Sequence, residues 1–182
     1  EMLARFREQH HLDQPVPVQY IQWLGALLNF DLGFSVSTPV PVVSLLARQV
    51  VPTVLLTVAA VVIAVPTGII TGVVAANHRG RFVDTLSRAA FLFGLSMPSF
   101  WLGLLLILAL GVSLRLLPVG GYVEPQVDPV ATIRSLILPA LTLSVPMAAV
   151  ISRITRTAML EVLGSEYVRT AHAKGLADRD VM

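Results

Sequence analysis

The chain has 182 residues, of which 55% are hydrophobic and only 13% charged, where an ordinary soluble domain carries roughly 25% charged residues. With a mean hydropathy of +0.77, that composition excludes a soluble enzyme and a disordered tail. A net charge of +2 and the lack of cysteine further exclude a nucleic-acid-binding basic cluster, a disulfide framework, a thiolate metal site and a cysteine nucleophile.

The chain opens on Glu1 without the pattern of a signal peptide, as expected of a piece of a longer protein. Residues 1–47 read as a segment outside the membrane. Within it, Tyr20, Trp23, Leu24, Leu27 and Leu28 recur at the spacing of one apolar helix face. Pro15 and Pro17 precede that helix, and Asp31, Leu32 and Gly33 end it. Trp and Tyr favour the headgroup layer. The helix is therefore expected to lie along the outer membrane surface or to pack on other extracytoplasmic parts. Residues 35–41, rich in Ser and Pro, read as an extended linker.

Residues 48–158 form the expected transmembrane core. Stretches free of Asp, Glu, Lys and Arg hold 30 residues between Arg48 and Arg79, 26 between Arg88 and Arg115, and 18 between Arg134 and Arg153. As helices these would be roughly 45, 39 and 27 Å long, against a hydrocarbon core of ~30 Å that needs about 20 residues. The predicted spans are 50–76, 89–114 and 135–156. The first is long enough to tilt, or to bend at Pro66. The third is short and interrupted by Pro139 and Pro146, so a buried re-entrant segment is its alternative. Arg153 and Arg156 at its end favour a full crossing.

No Asp, Glu, Lys or Arg lies within those stretches, and their one histidine, His78, stands at the end of the first, so no acid or base of a membrane proton relay lies at depth. Their polar groups are the hydroxyls of Thr53, Thr57, Thr67, Thr71, Ser96, Ser99, Thr142 and Ser144. Each can bond a backbone carbonyl or a neighbouring helix, or line a polar path. Gly68 and Gly72 form a GxxxG, which permits close approach of a second helix. Pro66, Pro98, Pro139 and Pro146 lie within the spans and need local packing to replace the missing N–H. The connection from Pro118 to Pro129 is turn-rich and expected to be irregular.

Orientation follows from the basic residues. Arg79, Arg81, Arg88, Arg153, Arg156, Arg169, Lys174 and Arg179 fall on one side; Arg5, Arg7, Arg48, Arg115 and Arg134 are spread over the other. The short basic loop 77–87 and the C-terminal segment are thus expected in the cytoplasm, with residues 1–47 and 116–133 outside.

Residues 159–182 read as a cytoplasmic loop. Gly164 and Ser165 break the preceding helical pattern, and Ser165 is a good N-cap with Glu166 at the positive end of a new helix. That helix should run from Glu166 through Lys174, with Gly175 in the C′ position. Tyr167, Val168 and Ala171 are expected on one face, with Arg169, His172 and Ala173 elsewhere.

The run Glu166-Tyr-Val-Arg-Thr-Ala-His-Ala-Lys-Gly175 resembles the loop signature of binding-protein-dependent ABC importer permeases, in their dipeptide/oligopeptide/nickel branch. Arg169, Thr170 and Ala171 occupy the Glu-Ala-Ala place of that signature, and Gly175 its glycine. Residues 19–24, 31–35, 94–103 and 137–142 are similar to the same branch, in the same order. The resemblance implies an all-α, polytopic membrane helix bundle, the transmembrane subunit of a type I ABC importer. It further implies that this chain holds three of about six spans.

The resemblance also implies partners: a second homologous permease, two cytoplasmic ATP-binding subunits, an extracytoplasmic substrate-binding protein, and lipid. It implies no enzyme activity, cofactor or metal in this chain, which lacks the Gly-x-x-x-x-Gly-Lys-Ser/Thr loop that holds nucleotide phosphates. Coupling to the ATPase would fall on Glu166, Tyr167, Arg169, Thr170, Ala171, Lys174 and Gly175. Tyr167 would serve as an aromatic anchor and Arg169 as a charge-assisted donor. Permeases similar to this one handle dipeptides, longer peptides, glutathione and nickel complexes. Peptide is the expected cargo; a non-transporting membrane scaffold is the alternative class. The four histidines, His10, His11, His78 and His172, form no His-Glu-x-x-His pattern, which leaves a membrane enzyme without support.

Overall fold

The computed structural model describes residues 13–35, 38 and 40–175. Arg5, Arg7, His10, His11 and Arg179 lie outside the described residues. The described chain is all-α: α1 (Val16–Leu28), α2 (Val42–Asn77), α3 (Phe82–Ser96), α4 (Ser99–Leu106) continuing as a π-helical segment (Ile107–Ser113), α5 (Pro129–Leu163) and α6 (Glu166–Ala173). It divides into two compact units, the first ending at Thr53 and the second beginning at Val54.

In the first unit α1 begins directly after Pro15, with proline in its first turn, a place where the missing N–H costs nothing. None of its residues is buried. Tyr20 and Trp23 pair with ring centroids 6.0 Å apart and stay 59% and 54% exposed. Residues 36, 37 and 39 of the linker expected over 35–41 lie outside the described residues, and its two ends meet. Phe34 and Pro41 make an isolated antiparallel bridge, and the Ser35 N–H donates to the Val40 carbonyl at 3.0 Å. The chain reverses there.

Helices α2 and α5 are both long and apolar enough to cross a membrane. At 36 and 35 residues they measure roughly 54 and 52 Å. The first predicted span, 50–76, lies within α2, which starts earlier, at Val42. The third, 135–156, is neither short nor re-entrant. It belongs to one helix that begins at Pro129, passes through Pro139 and Pro146, and ends at Leu163. The boundary placed between 158 and 159 therefore falls inside α5. Its start is a well-formed cap: the Asp128 carboxylate accepts from the Val130 and Ala131 N–H groups at 2.9 and 3.0 Å, with Pro129 in the first turn.

The second predicted span, 89–114, is corrected more deeply. The helix starts at Phe82 and stops at Ser96; after Met97 and Pro98 a second helix begins, bent by 104° from the first. Met97 is extended (φ −79°, ψ 125°), the conformation that a following proline favours. Gly94, Ser96 and Ser99 flank the proline, all poor helix formers. The pair is thus one broken crossing or a re-entrant loop, and with it counted as one span the described residues hold three helices or helix pairs long and apolar enough to cross.

Helix α5 is the hub of the second unit. A Cβ added at Gly68 would sit 2.7 Å from the Ile151 side chain, and one at Gly72 would sit 2.7 Å from the Ser152 carbonyl. Gly94 on α3 faces Ala149, and Gly103 on α4 faces Thr142. Small residues let each backbone approach α5 closely. The 118–129 connection is anchored to α5 as well: Thr132 Oγ1 donates to the Val123 carbonyl at 2.8 Å and Arg134 to the Leu116 carbonyl at 3.0 Å.

Candidate coupling site

Helix α6 is short because its sequence punctuates it closely. Gly164 ends α5, and Ser165 begins the turn into Glu166. Ser165 stands at the expected cap position, but its hydroxyl donates back to the Val162 carbonyl at 2.6 Å. It fastens α6 to the end of α5 and does not act as the side-chain acceptor of an N-cap. The helix ends at Ala173, one residue before Lys174. Gly175 has φ +84°, the left-handed geometry that closes a helix and favours glycine.

The apolar face differs from the expected grouping. Val168 is buried and Ala171 half-buried, while Tyr167 is 64% exposed. Tyr167 is displaced because residues one apart on a helix are turned about 100° from each other; only the i, i+3 pair shares a face. Glu166, Tyr167, Arg169, Thr170, Lys174 and Gly175 are all exposed. Arg169 donates to Glu166 Oε1 at 2.8 Å within the helix, so its charge is shared locally. Thr170 Oγ1 bonds the Glu166 carbonyl. The result is a small, polar, solvent-facing helix fixed at one end of the hub helix.

The hydroxyls within the spans bond mainly to their own helices. Thr67 donates to the Ile63 carbonyl at 2.6 Å, Thr142 to Leu138 at 2.8 Å and Ser144 to Leu141 at 2.9 Å. Thr71 goes further: it bonds Thr67 within α2 and meets Ser152 Oγ at 2.7 Å across the contact with α5. That bond lies beside Gly72, where the helices come closest.

One site escaped the sequence. Asp84, in the first turn of α3, is 1% exposed. Arg156 of α5 grips it with both arms of its guanidinium, Nε to Oδ1 at 2.7 Å and Nη2 to Oδ2 at 3.0 Å. The Gly80 N–H donates to Oδ2 at 3.0 Å, and Arg88 stands 3.8 Å from Oδ1. On the sequence alone Arg156 is an orientation signal and marks the end of the third span. The available hint was isolation: Asp84 is the single acidic residue between Asp31 and Glu124.

Residues 68–182 match the family described as the binding-protein-dependent transport system inner membrane component. The chain is 42% identical over 175 residues to the probable peptide ABC transporter permease protein y4tP of Sinorhizobium fredii, covering 96% of this chain and 56% of that protein. It is 41% identical over its full 182 residues to a Brucella abortus protein whose name gives it as a peptide transport system permease, covering 58% of that protein. It is 38% identical over 169 residues to the dipeptide transport system permease protein DppB of Bacillus subtilis, covering 92% of this chain and 52% of that one. The chain thus spans a little over half the length of these relatives. With a helical membrane architecture and a family match over residues 68–182, the chain belongs to the binding-protein-dependent transport system inner membrane components.

Proposed function

We propose that this chain is part of a permease subunit of an ATP-driven peptide importer, and that α6 is the helix through which a cytoplasmic ATP-binding subunit moves the membrane helices. The observation that carries this reading is α6 itself: an exposed polar helix, closed by a left-handed glycine and fixed to the end of the most connected helix. Relatives named as peptide permeases support the peptide assignment. In this reading the 77–87 loop and α6 face the cytoplasm of the cell's inner membrane, and residues 1–47 and 116–133 face outside. The partners are a second homologous permease, two ATP-binding subunits and a substrate-binding protein.

Tyr167 would anchor in the ATP-binding subunit, an exposed aromatic being a strong interface residue. Arg169 would need to exchange its bond to Glu166 for one across the interface, while Glu166, Thr170, Ala171, Lys174 and Gly175 hold the helix shape and its polar surface. Spans without a proton relay agree with energy supplied by a partner.

The test uses the full-length permease, assembled with its ATP-binding subunits and binding protein in liposomes. Tyr167→Ala and Arg169→Glu should insert normally but abolish the stimulation of ATP hydrolysis by the binding protein. Exchanging the charges, Glu166→Arg with Arg169→Glu, keeps the intrahelical pair and should still uncouple. Unchanged stimulation in all three would remove α6 from the coupling path. Uptake of radiolabelled dipeptide, against nickel and glutathione, assigns the cargo.

A further inference from the structure

Asp84 is the only charged side chain that is buried among the described residues, and it is held by more groups than neutralising its charge requires. Its carboxylate joins three places: the Gly80 turn between α2 and α3, the first turn of α3, and Arg156 on α5. Arg156 lies seven residues before the end of α5, about two turns or roughly 10 Å from the junction with α6. One turn earlier on α5, Ser152 bonds Thr71 of α2. Near their α6-side ends, then, α2, α3 and α5 are joined by directional polar bonds.

A buried ion pair gains little net stability over apolar side chains of the same volume. What a two-pronged guanidinium–carboxylate bond supplies in addition is fixed distance and fixed rotation. Apolar glycine contacts such as Gly94 against Ala149 resist compression but allow sliding. We propose that Asp84, through Arg156, is a positioning residue for coupling: it makes the α2–α3 turn, α3 and α5 travel as one body when α6 is displaced. This rests on the reading of α6 as the coupling helix.

The assembled full-length transporter in liposomes tests it through binding-protein-stimulated ATP hydrolysis. Arg156→Lys keeps the charge and loses the fork. The double variant Asp84→Asn with Arg156→Gln removes both charges and leaves no unpaired buried ion. Both should lower the ratio of stimulated to basal hydrolysis, the double variant by roughly fivefold or more. Full stimulation in the double variant would reduce the pair to charge neutralisation and overturn the proposal.

A second arm does not depend on these variants folding. Because a Cβ at Gly94 would lie 3.3 Å from that of Ala149, Gly94→Cys with Ala149→Cys is placed for a disulfide. If α3 and α5 move together, oxidation should leave stimulation as it is in the reduced form. Loss on oxidation, restored by reductant, overturns the proposal. The Tyr167 and Arg169 variants report separately on α6: if they keep stimulation, the coupling reading fails, whatever Asp84 does.

Discussion

Helix α5 and the α3–α4 pair contain the same ingredient and use it in opposite ways. Pro139 and Pro146 sit inside α5 without interrupting it, while Pro98 ends one helix and starts another at 104°. Proline removes one donor and crowds the preceding turn wherever it stands. The outcome depends on what surrounds it. Pro139 stands among the strong helix formers Leu138, Ala140 and Leu141, but Pro146 follows Ser144 and Val145, which are weak ones; what both share is a helix packed along its length by glycines of α2, α3 and α4. Around Pro98 the neighbours are Ser96, Met97 and Ser99, and the bend leaves an apolar hollow lined by Phe93, Phe100 and Trp101. A proline in a packed helix is carried by its neighbours; a proline beside an open hollow sets the backbone itself.

The comparison can be broken at several points. The largest effect is expected at Gly72. Its Cβ would meet the Ser152 backbone carbonyl at 2.7 Å, and backbone cannot step aside. Gly72→Leu should yield no folded protein in the membrane fraction, and Gly72→Ala should cost about 1–3 kcal/mol in thermal unfolding in detergent. Next, Pro98→Ala removes a bias of ~3 kcal/mol against helix. It should open the 104° bend, seen as a longer distance between spin labels placed at 93 and 101; an unchanged distance would show that packing, not proline, sets the angle. Asp128→Ala removes the cap of α5 and should cost about 1 kcal/mol, read as earlier melting. The smallest change is Gly103→Ala. Its Cβ would stand 3.5 Å from Thr142, an ordinary contact, so the better helix former should leave melting unchanged or raise it slightly.

What was legible in the sequence was local. Gly164 with Ser165 at one end and Gly175 at the other bound α6 to within a residue, because helix termination is written in neighbouring residues. The GxxxG at Gly68 and Gly72 announced a close contact, though not that α5 was its partner. Counting uncharged residues underestimated α5 because Arg134, Arg153 and Arg156 belong to the helix. Arg134 bonds the Leu116 carbonyl and Arg156 the Asp84 carboxylate, so their charges do not mark its ends. Asp128 followed by Pro129 is a helix-start signal at the end of the connection expected to be irregular. The Asp84–Arg156 bond joins residues 72 positions apart, and no local pattern encodes such a partner.

The cap at Asp128 and the junction at Ser165 belong to the same uninterrupted rod. Near its first end, Thr132 and Arg134 hold the connection from α4; near the other, Arg156 holds the α2–α3 turn. Pro139 and Pro146 each remove a backbone donor from the middle of α5, so the bonds near its two ends are what keep those ends tied to their neighbours. Moving as a rigid rod, α5 would carry its far end by roughly 2 Å for a tilt of about 2° over its ~52 Å length. On the reading of α6 as the coupling helix, the connection held by Thr132 and Arg134 is the part that registers its displacement at the far end of α5.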